Sequence, residues 1–190
     1  MTVLRVAMDI DQHYTSNMAK LLNSNLIFTG FMGSGKSTVG RQLAKRLAYR
    51  FVDTDQLIES ASGKSITELF TISEDYFRSW EFQICKSLQS SKQCIISTGG
   101  GLLTVEKTAT LLKQMGPIIY LKASAQVLYN RVKHSTHRPL LQVSNPLKTI
   151  ESMLETRDTL YTSHADFVID CDTLSVEAIL NMILSEYDLT

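Results

Sequence analysis

The feature that most constrains the fold is the segment Gly30-Phe31-Met32-Gly33-Ser34-Gly35-Lys36-Ser37, a G-x-x-x-x-G-K-S pattern. A short apolar run at 26–29 precedes it, as a buried strand requires. Behind it Val39, Leu43, Ala44 and Leu47 fall at spacings that share one helix face. Strand, glycine loop and helix together form a phosphate cradle, in which loop N–H groups and the positive helix end converge on anionic oxygens. Gly30, Gly33 and Gly35 permit the backbone angles and close approach that such a loop needs. Lys36 supplies a flexible point charge for β- and γ-phosphates, and the Ser37 hydroxyl is placed to ligate Mg²⁺. The bland alternative is a glycine-rich turn with a chance lysine, which the flanks make a poor fit.

Four more apolar runs, at 51–53, 94–97, 118–121 and 167–170, read as strands. Helical stretches separate them at about 36–48, 57–61, 65–70, 74–90, 104–114, 124–133, 146–161 and 175–187. This alternation predicts an α/β fold built from βαβ units, with a parallel sheet, helices on both faces and right-handed crossovers. Ligands of such sheets sit beyond the carboxyl ends of the strands. The 190 residues suit one such domain, at 25–190; residues 1–24 precede the first convincing strand and read as an N-terminal extension.

Net charge is zero, which gives no footprint for nucleic acid or a membrane surface. An anion site must then come from a few local cations. Cys85, Cys94 and Cys171 are scattered and odd in number, so neither a zinc site nor a disulfide framework is expected. No run approaches transmembrane length, and Asp9 and Asp11 argue against a signal peptide, so a cytoplasmic protein is expected. Nothing demands more than a monomer.

Other chemical landmarks lie just after strands or on helices that could face that same edge. In Phe51-Val52-Asp53-Thr54-Asp55, extended backbone would aim Asp53 and Asp55 the same way. One could then hold water on Mg²⁺ and the other orient or deprotonate a hydroxyl. The competing structural reading is that Asp53 ends the strand and Asp55 caps a helix. Gly99-Gly100-Gly101, after Ser97-Thr98, is costly in backbone entropy unless the chain must pass close to a ligand; otherwise it is a loose surface turn. Arg78 sits three residues before Glu81, a spacing that also suits a plain surface ion pair. Arg138, in a segment from about 131 to 146, could be carried by a mobile lid or belong to a polar loop. Arg157 could bind an anion or merely favour a helix C-terminus. The four histidines form no metal pattern.

In this order the landmarks resemble the shikimate kinase family over roughly residues 25–187. The likeness rests on Gly30 to Ser37, Asp53-Thr54-Asp55, Gly63-Lys64-Ser65-Ile66 with Phe70, Phe77-Arg78 with Glu81, Ser97 with Gly99-Gly100-Gly101, Arg138-Pro139-Leu140, and Arg157 with Leu160-Tyr161. It implies a three-layer α/β/α P-loop kinase fold with a central five-stranded parallel sheet and a mobile lid. It further implies ATP- and Mg²⁺-dependent phosphorylation of the shikimate 3-hydroxyl, in the route to chorismate and aromatic amino acids.

Carried over by position, Asp55, Arg78, Gly99, Gly100, Gly101 and Arg157 would bind shikimate, with the two arginines on its carboxylate. Lys36, Asp55 and Arg138 would be catalytic, with Asp55 the candidate base. ATP would meet Gly33, Ser34, Gly35, Lys36, Ser37, Thr38, Arg131 and Arg138, and the metal would meet Ser37 and, through water, Asp53. Cys171-Asp172-Thr173-Leu174, where the family often contacts adenine, has no basic residue. Two rivals remain: a gluconate kinase or other small-molecule kinase of the same fold, and a regulatory module that binds ATP without transferring phosphate. Intact Lys36, Ser37, Asp55 and Arg138 count against the second.

Overall fold

The computed structural model describes residues 24–133 and 143–189. Its strands are β1 (Leu26–Thr29), β2 (Arg50–Asp53), β3 (Cys94–Ser97), β4 (Ile118–Lys122) and β5 (Phe167–Asp170). All pairings are parallel, in the order β2-β3-β1-β4-β5. Among the described residues the helices are α1 (Lys36–Leu47), α2 (Thr54–Ser62), α3 (Ile66–Ile72), α4 (Glu74–Leu88), α5 (Glu106–Met115), α6 (Ala125–Val132), α7 (Pro146–His164) and α8 (Val176–Glu186).

Alternate residues of each strand enter different cores, as a sheet covered on both faces requires. Ile27, Val52, Ile96, Ile118 and Tyr120 pack with Ile58 of α2, Leu69 of α3, Phe77 and Ile84 of α4, Leu112 of α5 and Tyr161 of α7. Leu26, Phe28, Ile95, Ile119, Leu121 and Ile169 pack with Val39 and Leu43 of α1 and with Ile179, Leu180 and Ile183 of α8. A third cluster joins Phe31 of the glycine loop to Leu128 and Val132 of α6 and Ile150 of α7. The three-layer α/β/α arrangement with a five-stranded parallel sheet is thus the one the sequence predicts.

The differences have local causes. The α2 helix begins at Thr54 rather than near 57, because the Asp53 carboxylate accepts from the backbone N–H groups of Asp55 and Gln56 and caps a polar first turn. The cap is therefore Asp53 and not Asp55, which lies inside the helix, so the two do not share an extended strand. The α7 helix runs to His164, which leaves Arg157 about two turns short of the C-terminus and outside the reach of its dipole. After β3 comes a three-residue 3₁₀ turn, Leu102–Thr104, before α5.

Candidate active site

At the carboxyl edge of the sheet a cavity of ≈ 920 Å³ runs from the glycine loop across to α3 and α4. Gly33 (φ 82°) and Gly35 (φ 103°) occupy left-handed backbone that a side chain would strain, and Gly35 is the N-cap of α1. Lys36 curls back over the loop, its Nζ donating to the carbonyls of Gly30 at 2.7 Å and Phe31 at 3.0 Å. Ser34 and Thr38 also line the cavity; the Ser34 hydroxyl is buried without a hydrogen-bond partner among the described residues.

At the inner end of α1, Ser37 Oγ donates to Asp53 Oδ2 at 3.0 Å and lies 3.4 Å from Ser97 Oγ. Asp53 and Ser97 are register partners at the ends of β2 and β3. Asp53 thus serves both readings at once, as helix cap and as partner of Ser37. The donors are all oxygens, which suits a hard cation. Among the described residues no three His, Cys, Asp or Glu side chains cluster as a metal cage.

The other half of the cavity is built around the three glycines. Their φ values are not positive, so backbone freedom is not why they are there. Room is the reason. A Cβ on Gly99 would collide with the Asp55 carboxylate, and one on Gly101 with the Arg78 guanidinium. One on Gly100 would lie 3.5 Å from both Arg157 Nη1 and the Tyr161 hydroxyl. Each glycine therefore faces one of the three charged side chains singled out from the sequence. Gly99 N–H donates to Thr54 Oγ1 at 2.9 Å, which ties the strip to the start of α2.

Arg78 does form the ion pair that its spacing suggested, but the pair is not a surface one. Nη1 donates to Glu81 Oε2 at 2.6 Å and Nη2 to Glu74 Oε1 at 2.9 Å. The Glu81 side chain is 1% exposed, and its Oε1 has no hydrogen-bond partner among the described residues. Burial pushes the Glu81 carboxyl up, and Asp55 adds to this; the bond and charge of Arg78, with help from Arg157, only partly oppose it. For Arg78, burial pulls the guanidinium down, but Glu81 and Glu74 outweigh it and hold it above its ordinary value. Arg157 lies over the Phe31 ring, 5.8 Å from its centroid.

Arg131 donates to the carbonyls of Cys171 at 2.8 Å and Gly33 at 3.4 Å, pinning the β5–α8 turn to the phosphate loop. Arg138, with His134 and His137, lies outside the described residues, as does most of the 131–146 segment. Two apolar walls, beyond the site residues singled out from the sequence, complete the cavity. Ile66, Phe70 and Phe77 line the end near α3 and α4, the two phenyl rings 4.3 Å apart; Val132, Leu174, Val176 and Ile179 line the end near Arg131. Ile66, Phe70 and Phe77 belong to the series of motifs read from the sequence, and Phe70, 43% exposed, stands where a helix face would otherwise be polar.

A family model described as shikimate kinase matches residues 32–188. The shikimate kinase of Thermodesulfovibrio yellowstonii is 41% identical over 165 residues, 86% of this chain and 95% of that protein. A solved structure of shikimate kinase from Acinetobacter baumannii, in complex with shikimate, superposes with a TM-score of 0.83 at 34% identity, over 90% of this chain and 96% of that one. A gluconokinase from Sinorhizobium meliloti, at 19% identity and a TM-score of 0.59 over 87% of this chain and 92% of that one, shares the fold alone. Since likeness in sequence and in backbone extends over nearly all of the described residues, the chain belongs to the shikimate kinase family.

Proposed function

We propose that this protein transfers the γ-phosphoryl group of ATP to the 3-hydroxyl of shikimate, giving shikimate 3-phosphate and ADP, a step toward chorismate and the aromatic amino acids. It is an ATP-using phosphotransferase, as its family is. The observation that carries the acceptor is the convergence of one carboxylate and two guanidiniums on a strip of three glycines, across the cavity from Lys36. A small ring bearing hydroxyls and one carboxylate matches that set. Arg78 and Arg157 grip the acid group, Gly99, Gly100 and Gly101 let the ring approach, and Asp55 holds the reacting hydroxyl and takes its proton.

Phosphoryl transfer needs alignment and positive charge more than covalent chemistry. Lys36 and, by its motif, Arg138 neutralise the transferring group. Gly33, Ser34, Gly35, Ser37, Thr38 and Arg131 hold the nucleotide, with the apolar wall of Leu174 and Val176 beside it. Ser37 and Asp53 hold Mg²⁺, with Ser97 assisting through water; the all-oxygen donor set supports this. When bound, that ion neutralises charge on the ATP phosphates.

Residues 25–190 are the catalytic domain, with the segment from about 131 to 146 as its lid. The protein works as a monomer in the cytoplasm, a setting supported by the buried free thiols of Cys85, Cys94 and Cys171. No helix among the described residues is long and apolar enough to cross a membrane. The test is ADP release with ATP and Mg²⁺, comparing shikimate, gluconate and no acceptor. Turnover with shikimate alone is expected; turnover with gluconate, or none despite tight ATP binding, would overturn the reading.

A further inference from the structure

Tyr161 lies one turn beyond Arg157 on α7, and its side chain is fully enclosed. Two parts of it do different work. The ring belongs to the core beneath the sheet, 5.1 Å from the ring of Tyr120 and tilted by 55°. The hydroxyl faces the site: it donates to the Gly100 carbonyl, and it and Arg157 Nη1 both lie 3.5 Å from where a Cβ on Gly100 would stand. Phenylalanine would fill the same core volume, so packing explains the ring and not the hydroxyl.

The neighbouring turn shows how firmly α7 is held. Asp158, adjacent to Arg157, accepts from the Tyr120 hydroxyl at 2.7 Å and from Lys122 Nζ at 2.8 Å, fastening the helix to β4. Tyr161 fastens the same helix to the glycine strip of the site. An arginine side chain has many rotamers, and a ligand that must first immobilise it binds more weakly.

We propose that Tyr161 is a positioning residue for the acceptor, its hydroxyl holding the Arg157 guanidinium and the Gly100 carbonyl in the one arrangement that receives an anionic hydroxylated ring. Burial pushes the phenol above its ordinary value against the pull of Arg157, so at neutral pH the hydroxyl keeps the proton it donates to Gly100 and turns its oxygen lone pairs to the neighbouring guanidinium. The inference rests on Arg157 and Gly100 being acceptor contacts, as proposed above.

The test compares Tyr161→Phe with Arg157→Ala in the full chain, measuring KM for shikimate, KM for ATP, kcat and Tm. With Tyr161→Phe the shikimate KM is expected to rise about tenfold, the size of a lost hydrogen bond to a charged group, with the ATP KM unchanged within about twofold and Tm within about 4 °C. A shikimate KM within about twofold of the unmodified protein, while Arg157→Ala raises it strongly, would overturn the role of Tyr161 alone. A rise in both KM values together with a large fall in Tm would also overturn it, because that is the signature of a disturbed core. An Arg157→Ala protein with unchanged shikimate KM would remove Arg157 from the acceptor site and the inference with it.

Discussion

Two carboxylates near Arg78 and Arg157, Asp55 and Glu81, have unlike surroundings, and the roles proposed for them follow from that. Asp55 is packed against the Gly99 backbone and lines the cavity, where it can meet a substrate hydroxyl. Asp55→Asn keeps the shape and removes the base, so kcat should fall about 10²- to 10⁴-fold while ATP affinity holds; nearly native turnover would take Asp55 out of the chemistry. Glu81 instead is sealed behind Arg78. Removing the guanidinium would leave a buried carboxylate unpaired, so Arg78→Ala should cost about 3–5 kcal/mol of stability as well as shikimate affinity. Adding Glu81→Gln should restore most of the stability in urea unfolding and none of the shikimate binding. Recovery of both would mean that Arg78 acts only as Glu81's partner.

At the scale of elements, the glycine strip after β3 and the turn of α7 that carries Arg157 are one unit, and each can be disturbed separately. Gly101→Ala places a methyl against the Arg78 guanidinium, which must swing away. Shikimate KM should rise about tenfold with ATP KM unchanged, a loss of about 1.4 kcal/mol; an unaffected shikimate KM would show that Arg78 can bind from elsewhere. On α7, burial alone would raise Asp158, but the bonds from Lys122 and Tyr120 outweigh it and hold its carboxyl below the ordinary range. A depressed folded value stabilises the protein above the unfolded value of 3.8 and loses that contribution as pH falls through the lower folded one. Asp158→Asn should therefore be less stable than the unmodified protein at pH 7 and converge with it below pH 3.8; a stability gap that grows on acidification would reverse the assignment. What the sequence made legible at this scale was chain-local. The five strands were readable because continuous apolar runs mark strands covered on both faces, and the motif residues because their spacing is short. The start of α2 was not, since its first turn is polar and is held by a cap rather than by an apolar face. Nor was the Tyr161–Gly100 bond, between residues 61 apart, or the apolar walls, which exist only once α3, α4 and α8 are packed.

For the whole molecule, strand order decides where the phosphate loop and the glycine strip meet. β1, which feeds the phosphate loop, lies between β3, which feeds the glycine strip, and β4, against which α7 is pinned. The sheet thus brings the phosphate loop, the glycine strip, Arg78 and Arg157 to one cavity, with Asp53 and Ser97 at the ends of neighbouring strands. Asn25, just ahead of β1, already closes the lower end of the sheet: its side chain donates to the carbonyls of Ser91 and Met115 and accepts from the N–H of Cys94. A protein shortened by residues 1–23 keeps this bolt. It should unfold in one transition within about 4 °C of the full chain, and its kcat and both KM values should agree within about twofold. A shortened protein that folds equally well but has lost shikimate turnover would place a functional group in the extension and enlarge the site beyond the domain from 25 to 190. One that no longer folds would make the extension part of that domain's core.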